Sequence, residues 1–197
     1  MPPLWVILNQ VTNELNPVSD NPRFEAELLL THALNITRAE LLGRVKDEIH
    51  IPSQIHSWIE RRKKHEPIAY ILGYTEFFGL KITTIPPIFI PRPETELLVE
   101  ESLKIVKQSD KQTINILELC TGTGCISISI CKNSKKEINC IVTDINEKAI
   151  ILAKQNAEKN LVNFDIIICD LFSAIKERNM FDIIVANPPY ISERYRD

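Results

Sequence analysis

Three apolar runs in the second half of the chain each carry an acid at or beside their carboxyl end, and the first leads directly into a glycine-rich turn. Ile114-Asn115-Ile116-Leu117-Glu118-Leu119 is followed by Cys120-Thr121-Gly122-Thr123-Gly124, and Cys125 to Ile130 then begin a helix. Ile138 to Thr143 ends in Asp144, and Phe164 to Cys169 ends in Asp170. Such runs suit strands buried on both faces, as in a parallel sheet covered by helices. Between the second and third runs, residues 147–159 show helical spacing, with Ile150, Ile151 and Ala157 expected to face inward. Strand and helix in alternation define an α/β fold. A fourth run, Phe181 to Ala186, is reached through a short helix and passes into Asn187-Pro188-Pro189-Tyr190. The prolines cannot continue a ladder, so the strand stops there, and Asn187 is held extended before Pro188. Ligands of open α/β sheets bind at the carboxyl ends of the strands. Taken alone, Asn-Pro-Pro also reads as a simple turn.

Strand, glycine-rich turn and helix form a nucleotide-cofactor arrangement, and Gly122 and Gly124 let the backbone approach a ligand closely. Asp144 stands where an acid can take both hydroxyls of a ribose. A dinucleotide fits less well. Three residues after Gly124 the chain has Ser127, so the third glycine of that fingerprint is missing. Glu118 also places a negative charge where a pyrophosphate would approach, which favours a cationic ligand. S-adenosylmethionine has a sulfonium, an ammonium and a ribose, and no phosphate. Asp170 could accept from an adenine amino group, with Leu171 and Phe172 flanking the ring. Each acid by itself is an ordinary residue at a strand end. Three of them on successive strands beside one glycine loop point to a site.

The chain has 197 residues, enough for one domain or two small ones. It is 44% hydrophobic and 25% charged, within the ordinary range of globular proteins. The formal net charge of -3 argues against a dedicated nucleic-acid binder. No apolar run is long enough to span a bilayer, and Met1-Pro2-Pro3-Leu4-Trp5 has no basic stretch before its apolar residues. A cytoplasmic location with no membrane partner is expected. Cys120, Cys125, Cys131, Cys140 and Cys169 form no Cys-x-x-Cys pair, and the four histidines all lie upstream of them. No metal site is expected, and the thiols read as small buried groups in a reducing compartment.

Upstream, residues 1–66 read as a small helical bundle. Leu4, Ile7, Leu8, Val11 and Leu15 recur at helical spacing, Asn21-Pro22 starts a second helix, and Thr37-x-x-Glu40 is a capping box. Pro52 opens a helix with Ile55, Trp58 and Ile59 on one face, and Arg61 to Lys64 close it as a solvated basic end. The bundle is expected to recognise the substrate. Residues 67–113 form a connector. Ala69 to Ile82 read as a β-hairpin with Gly79 near its turn, and 85–91 is extended and proline-rich. Pro91-Arg92-Pro93-Glu94-Thr95-Glu96 starts a helix expected to bury Leu97, Leu98, Leu103, Ile105 and Val106. That turn reads as helix initiation; the alternative is that it lies over a cofactor pocket. Residues 114–197 complete the α/β domain.

These motifs together resemble the class I S-adenosylmethionine-dependent methyltransferases, and more narrowly the HemK/PrmC family of release-factor glutamine methyltransferases. The family's helical start is similar to Pro22 to Leu30, and its connector to Ile68-Ala69-Tyr70-Ile71-Leu72-Gly73 and Ile90 to Glu96. Its cofactor loop resembles Thr121-Gly122-Thr123-Gly124 and its active-site motif Asn187-Pro188-Pro189-Tyr190. The resemblance implies a Rossmann-like methyltransferase domain preceded by the bundle and the hairpin connector. It implies cofactor contacts at Cys120, Thr121, Gly122, Thr123, Gly124, Asp144, Leu171 and Asn187, beside Glu118 and Asp170. It places the substrate glutamine against Asn187, Pro188, Pro189 and Tyr190. The implied reaction is methylation of the side-chain amide of glutamine in the Gly-Gly-Gln sequence of peptide-chain release factors. No stable nucleic-acid partner is implied. The Asn-Pro-Pro-Tyr motif is shared with adenine-N6 methyltransferases of DNA, which remains an alternative, as does a non-catalytic module that holds cofactor or partner. Two residues depart from the family. Cys120 stands where many relatives have the first glycine of the loop, and Leu171 where some have an aromatic. The family's sheet usually continues for three strands beyond this motif, so the domain is expected to be incomplete at its C-terminus.

Overall fold

The computed structural model describes residues 1–176 and 180–189. The chain divides into two units with separate cores, Met1–Gly73 and Tyr74–Asp197. The first unit thus ends at Gly73 rather than near residue 66.

The first unit is helical: α1 (Leu4–Leu15), α2 (Pro22–Leu34), α3 (Arg38–Gly43), α4 (Gln54–Lys63) and α5 (Ile68–Leu72). Leu4, Leu8, Val11 and Leu15 line one face of α1 and pack with Leu29, Leu30, Leu41, Ile55, Trp58 and Ile59. Asn21 caps α2 by accepting from the Phe24 N–H, with Pro22 at the first helical position. The Thr37–Glu40 capping box is formed in both directions. Glu27 is 4% exposed and accepts from Nε of both Arg23, at 3.0 Å, and Arg38, at 2.7 Å. Burial acts against its charge, but the two guanidiniums prevail and hold its carboxyl below the usual range. The basic end of α4 is paired within the unit: Arg61 with Glu66, Arg62 with Glu25, and Lys63 with Glu14 and Glu60. Of these, Arg62 and Glu25 are largely buried, which makes this helix end part of the unit's own packing rather than only a solvated face.

In the second unit, β1 (Tyr74–Phe77) and β2 (Leu80–Thr83) form an antiparallel hairpin. The expected hairpin was longer. Residues 69–72 are instead helical, because Gly73 in the left-handed region caps α5 before the strand can start. Phe78 and Gly79 make the turn, both at positive φ, as a tight two-residue hairpin requires. A 3-10 turn, Pro93–Thr95, leads into α6 (Glu96–Gln108). There follow β3 (Thr113–Leu119), α7 (Cys125–Asn133), β4 (Glu137–Asp144), α8 (Glu147–Lys159), β5 (Asp165–Ile168) and β6 (Ile183–Ala186). The last four strands form one sheet in the order β5-β4-β3-β6, parallel throughout.

This sheet accounts for the unbroken apolar runs. On one face Ile114 and Ile116 of β3 meet Val99 and Val106 of α6, Ile126, Ile128 and Ile130 of α7, and the hairpin residues Phe77 and Ile82. On the other face Leu117 and Leu119 pack with Ile175, Phe172 and Phe181. Side chains alternate along a strand, so Glu118 shares its face with Ile114 and Ile116 and lies beneath α7. Three expectations need correction. Helix α6 buries Val99, Ser102 and Val106, with Leu98 and Leu103 partly covered, while Leu97 and Ile105 are 59% and 52% exposed. Those two lie eight residues apart on the opposite face. Ile151 of α8 is likewise half exposed, because Ala149, Leu152, Ala153 and Asn156 form the inward face. Where a short helix was expected before β6, Leu171–Ala174 form turns, and residues 177–179 lie outside those described.

Packing on both faces makes β3 the least replaceable strand. Ile116→Ala is expected to cost about 2–5 kcal/mol, whereas Leu97→Ser on the outer face of α6 should stay within about 0.5 kcal/mol. Urea midpoints of the two variants check this.

Candidate active site

The carboxyl ends of β3, β4 and β6 open onto one cavity of about 590 Å³. Its floor is the loop Cys120 to Thr123 with Glu118, and Asp144, Ile145, Asn146 and Ala149 form one wall. Asn187, Pro188 and Pro189 form another, and Pro87 to Arg92 with Thr95 close the remaining side. The connector therefore does lie over the pocket, the alternative that the spacing of Pro93-Glu94-Thr95-Glu96 left open.

The loop owes its shape to a short run of left-handed residues: Cys120 at φ 55°, Gly122 at φ 57° and Gly124 at φ 80°. A side chain at Gly122 would meet no atom within 4 Å, because this backbone faces the cavity. Gly124 differs, since a Cβ there would stand 3.1 Å from Cβ of Ala153 and 3.2 Å from Cδ1 of Ile128. Its role is close packing of the loop against α8. The loop is tied from several sides. Thr121 N–H donates to the Thr143 carbonyl, and Gly122 N–H donates to Oδ2 of Asp144 at 2.9 Å. Asp144 also accepts from Asn146 N–H through Oδ1, so its carboxylate braces both turns while lining the cavity. Asn156, fully buried on α8, accepts from Thr83 N–H and donates to the carbonyls of Thr83 and Thr123. This amide binds the loop to the hairpin. Its position was readable in principle, as a polar residue at an inward position of a helix.

Glu118 is the electrostatic centre. It is 1% exposed, and its Oε2 accepts from the Ser127 N–H, an unpaired donor in the first turn of α7. Its Oε1 is buried and has no hydrogen-bond partner among the described residues, and the same holds for the Thr121 hydroxyl. Burial pushes the Glu118 carboxyl up to about 7, against the hydrogen bonding at Ser127 and the nearby Thr121 hydroxyl, and Asp144 nearby adds to the rise. Burial also raises the Cys120 thiol, with further contributions from Asp144, Asp170 and Glu118. A buried acid with one unmatched oxygen, facing a cavity that holds a second acid, has the chemistry to receive a cation.

Of the residues singled out in the sequence, Glu118, Cys120, Thr121, Gly122, Thr123, Asp144, Asn187, Pro188 and Pro189 meet in this cavity. Gly124 stands just behind it. Asp170 and Leu171 are exposed and do not line it, although Asp170 is near enough to bear on the Cys120 thiol. Tyr190 lies outside the described residues. Composition and spacing did not reveal Thr95, Arg92, Phe89 or Ile145 as lining residues. No cluster suited to a metal ion occurs among the described residues, and none of their helices is long and apolar enough to cross a membrane.

A parallel sheet in the order β5-β4-β3-β6, with a glycine loop after β3 and an acid at the end of β4, is the arrangement of a nucleoside-cofactor domain. Two family models match the chain: the PrmC N-terminal domain over residues 7–73 and the methyltransferase small domain over residues 94–196. The chain belongs to the methyltransferase small-domain family, with a PrmC N-terminal domain preceding that domain in sequence. It is 38% identical over 189 residues to the release factor glutamine methyltransferase of Thermodesulfovibrio yellowstonii, covering 93% of this chain and 66% of that protein. It is 40% identical over 180 residues to the release factor glutamine methyltransferase of Buchnera aphidicola subsp. Schizaphis graminum, covering 87% of this chain and 62% of that one. The chain thus spans just under two thirds of the length of these relatives. Among solved structures, a 16S rRNA methyltransferase of T. thermophilus, in complex with AdoMet and guanosine, shares the fold. The TM-score is 0.50 at 21% identity, over 61% of this chain and 33% of that one.

Two outcomes follow from the site. Glu118 keeps its proton in the folded protein up to about 7, whereas the unfolded chain loses it near 4.5. The folded state therefore binds more protons in that window, and rising pH destabilises it by about 3 kcal/mol in total. Glu118→Gln should remove this fall, so the difference in urea stability between wild type and variant should grow from pH 4.5 to 7 and then level off. Gly124→Ala should lose at least about 1 kcal/mol, from left-handed strain and from contact with Ala153, visible as a lowered thermal midpoint.

Proposed function

We propose that this chain transfers a methyl group from S-adenosylmethionine to the side-chain amide nitrogen of glutamine in the Gly-Gly-Gln sequence of peptide-chain release factors. One observation carries the reading: the orphaned Glu118 carboxyl oxygen, the Asp144 carboxylate and the Asn187 amide converge on a single cavity. The names of the relatives support the choice of glutamine as acceptor. Fit to the cofactor rests on features already described. Glu118 offers an unmatched acceptor to an ammonium, Gly122 leaves open space for a ligand to approach the backbone, and Asp144 lines the wall where a ribose would lie. When bound, S-adenosylmethionine supplies an electrophilic methyl group on a sulfonium.

The remaining chemistry belongs to the protein. An amide nitrogen is a poor nucleophile because its lone pair is delocalised into the carbonyl. Asn187 answers this with acceptors. Its Oδ1 and a backbone carbonyl near Pro188 take the two N–H groups of the substrate amide. They fix the direction of the nitrogen and stabilise the positive charge that develops on it. The prolines keep these acceptors rigid, since Pro188 and Pro189 restrict the backbone on either side. No side-chain nucleophile is required, and the nitrogen sheds its proton to water after transfer. We assign recognition of the release factor to the helical unit, residues 1–73, whose core is its own.

The test pairs wild type with Asn187→Ala. Wild type should methylate a release factor and not its Gly-Gly-Ala variant, with a DNA duplex unmodified in parallel. Asn187→Ala should bind the cofactor within about threefold of wild type and turn over about a hundredfold or more slower, the scale of losing one transition-state acceptor. Undiminished turnover in the variant, or transfer to adenine instead of glutamine, would overturn the reading.

A further inference from the structure

The turn Pro93–Thr95 does more than begin a helix. Its last residue, Thr95, is 7% exposed, lines the cavity and accepts a hydrogen bond at Oγ1 from Nδ2 of Asn187 at 2.9 Å. The residues are 92 positions apart in sequence. The turn itself is anchored on both sides. Thr95 N–H donates to the Arg92 carbonyl, and the neighbouring Glu96 carboxylate accepts from the Phe78 N–H at 2.7 Å, hooking the start of α6 to the hairpin. Thr95 therefore presents a fixed oxygen to a side chain that is otherwise exposed.

What this contact restrains is rotation of the Asn187 amide. The terminal torsion of asparagine is broad and roughly two-fold, so a free side chain exchanges its donor and acceptor ends readily. Only one orientation serves an amide substrate. Oδ1 must face the incoming N–H, because Nδ2 in that place would set donor against donor. In the structure Nδ2 is the end that rests on Thr95, and no hydrogen bond to Oδ1 is made by the described residues.

We propose that Thr95 is a positioning residue for methyl transfer: it holds the Asn187 amide in the one orientation that leaves Oδ1 free to accept from the substrate. This rests on the reading of Asn187 as the acceptor. It gives the Pro93-Glu94-Thr95-Glu96 segment a divided task, in which Glu96 fixes the turn and Thr95 fixes Asn187.

The experiment compares Thr95→Val, which keeps the shape and loses the acceptor, with Thr95→Ser, which keeps the hydroxyl. Thr95→Val should lower kcat about 10- to 100-fold, the scale of one lost hydrogen bond at a buried site, with cofactor Kd changed less than about twofold. Thr95→Ser should restore kcat to within about threefold of wild type. In the Asn187→Ala background, Thr95→Val should cost nothing further, since both act through one group. A Thr95→Val variant as fast as wild type, or losses that multiply in the double variant, would overturn the proposal. A second readout needs no turnover. The side-chain NH₂ of Asn187, followed by ¹⁵N relaxation, should be ordered in wild type and Thr95→Ser and mobile in Thr95→Val. An equally ordered amide in Thr95→Val would overturn the proposal even if wild type methylates glutamine. A wild type that transfers no methyl group would instead defeat the functional reading, and the relaxation measurement would still decide whether Thr95 holds Asn187.

Discussion

A single buried carboxyl group sets the terms for the rest of this domain. Glu118 sits near the end of a strand covered on both faces, where a charge would normally be too costly. One helix N–H reaches one of its oxygens, and the other has no partner among the described residues. A hydrogen bond to a charged group contributes about 1.5–3 kcal/mol, while several kcal/mol are lost when an ion leaves water. The imbalance appears as the upward shift of this acid to about 7. The sheet, the left-handed loop and the first turn of α7 together hold this imbalance in place, and a cationic ligand is what would relieve it.

The parallel sheet was legible because its strands are apolar without alternation, and no other arrangement hides both faces of β3 and β4 so simply. The loop and the acid of β4 were legible for a related reason: Gly122, Gly124 and Asp144 are residue types that a nucleoside site needs at a strand end. The same reasoning was weaker where periodicity alone had to choose a face. Leu97 and Ile105 of α6 and Ile151 of α8 are apolar yet exposed, because the inward faces are completed by small or polar residues such as Ser102 and Asn156. Helix α5 was read as strand because its aromatic and β-branched residues carry strand preference. The left-handed glycine that ends it belongs to both readings.

The contacts that cross the chain were out of reach of spacing. Nothing in Pro93-Glu94-Thr95-Glu96 shows that Thr95 will meet Asn187, since that meeting depends on α6 packing beside β6. Asp170 follows β5 as the sequence pattern placed it, but it is not among the residues that line the cavity. Cys120 stands at a point of real constraint, because it holds a left-handed conformation that a glycine would adopt without strain. Its side chain forms part of the cavity floor, so this residue bears on the shape of the site as well as on the backbone.

The most direct test is calorimetric titration with S-adenosylmethionine at pH 6, run in two buffers of different ionisation enthalpy. If Glu118 receives the cofactor's positive charge, its carboxyl must ionise on binding, and the wild type should release close to one proton per ligand bound. The Glu118→Gln variant should bind more weakly and release none through this group. Binding without proton release at pH 6, or identical release by both proteins, would contradict the account.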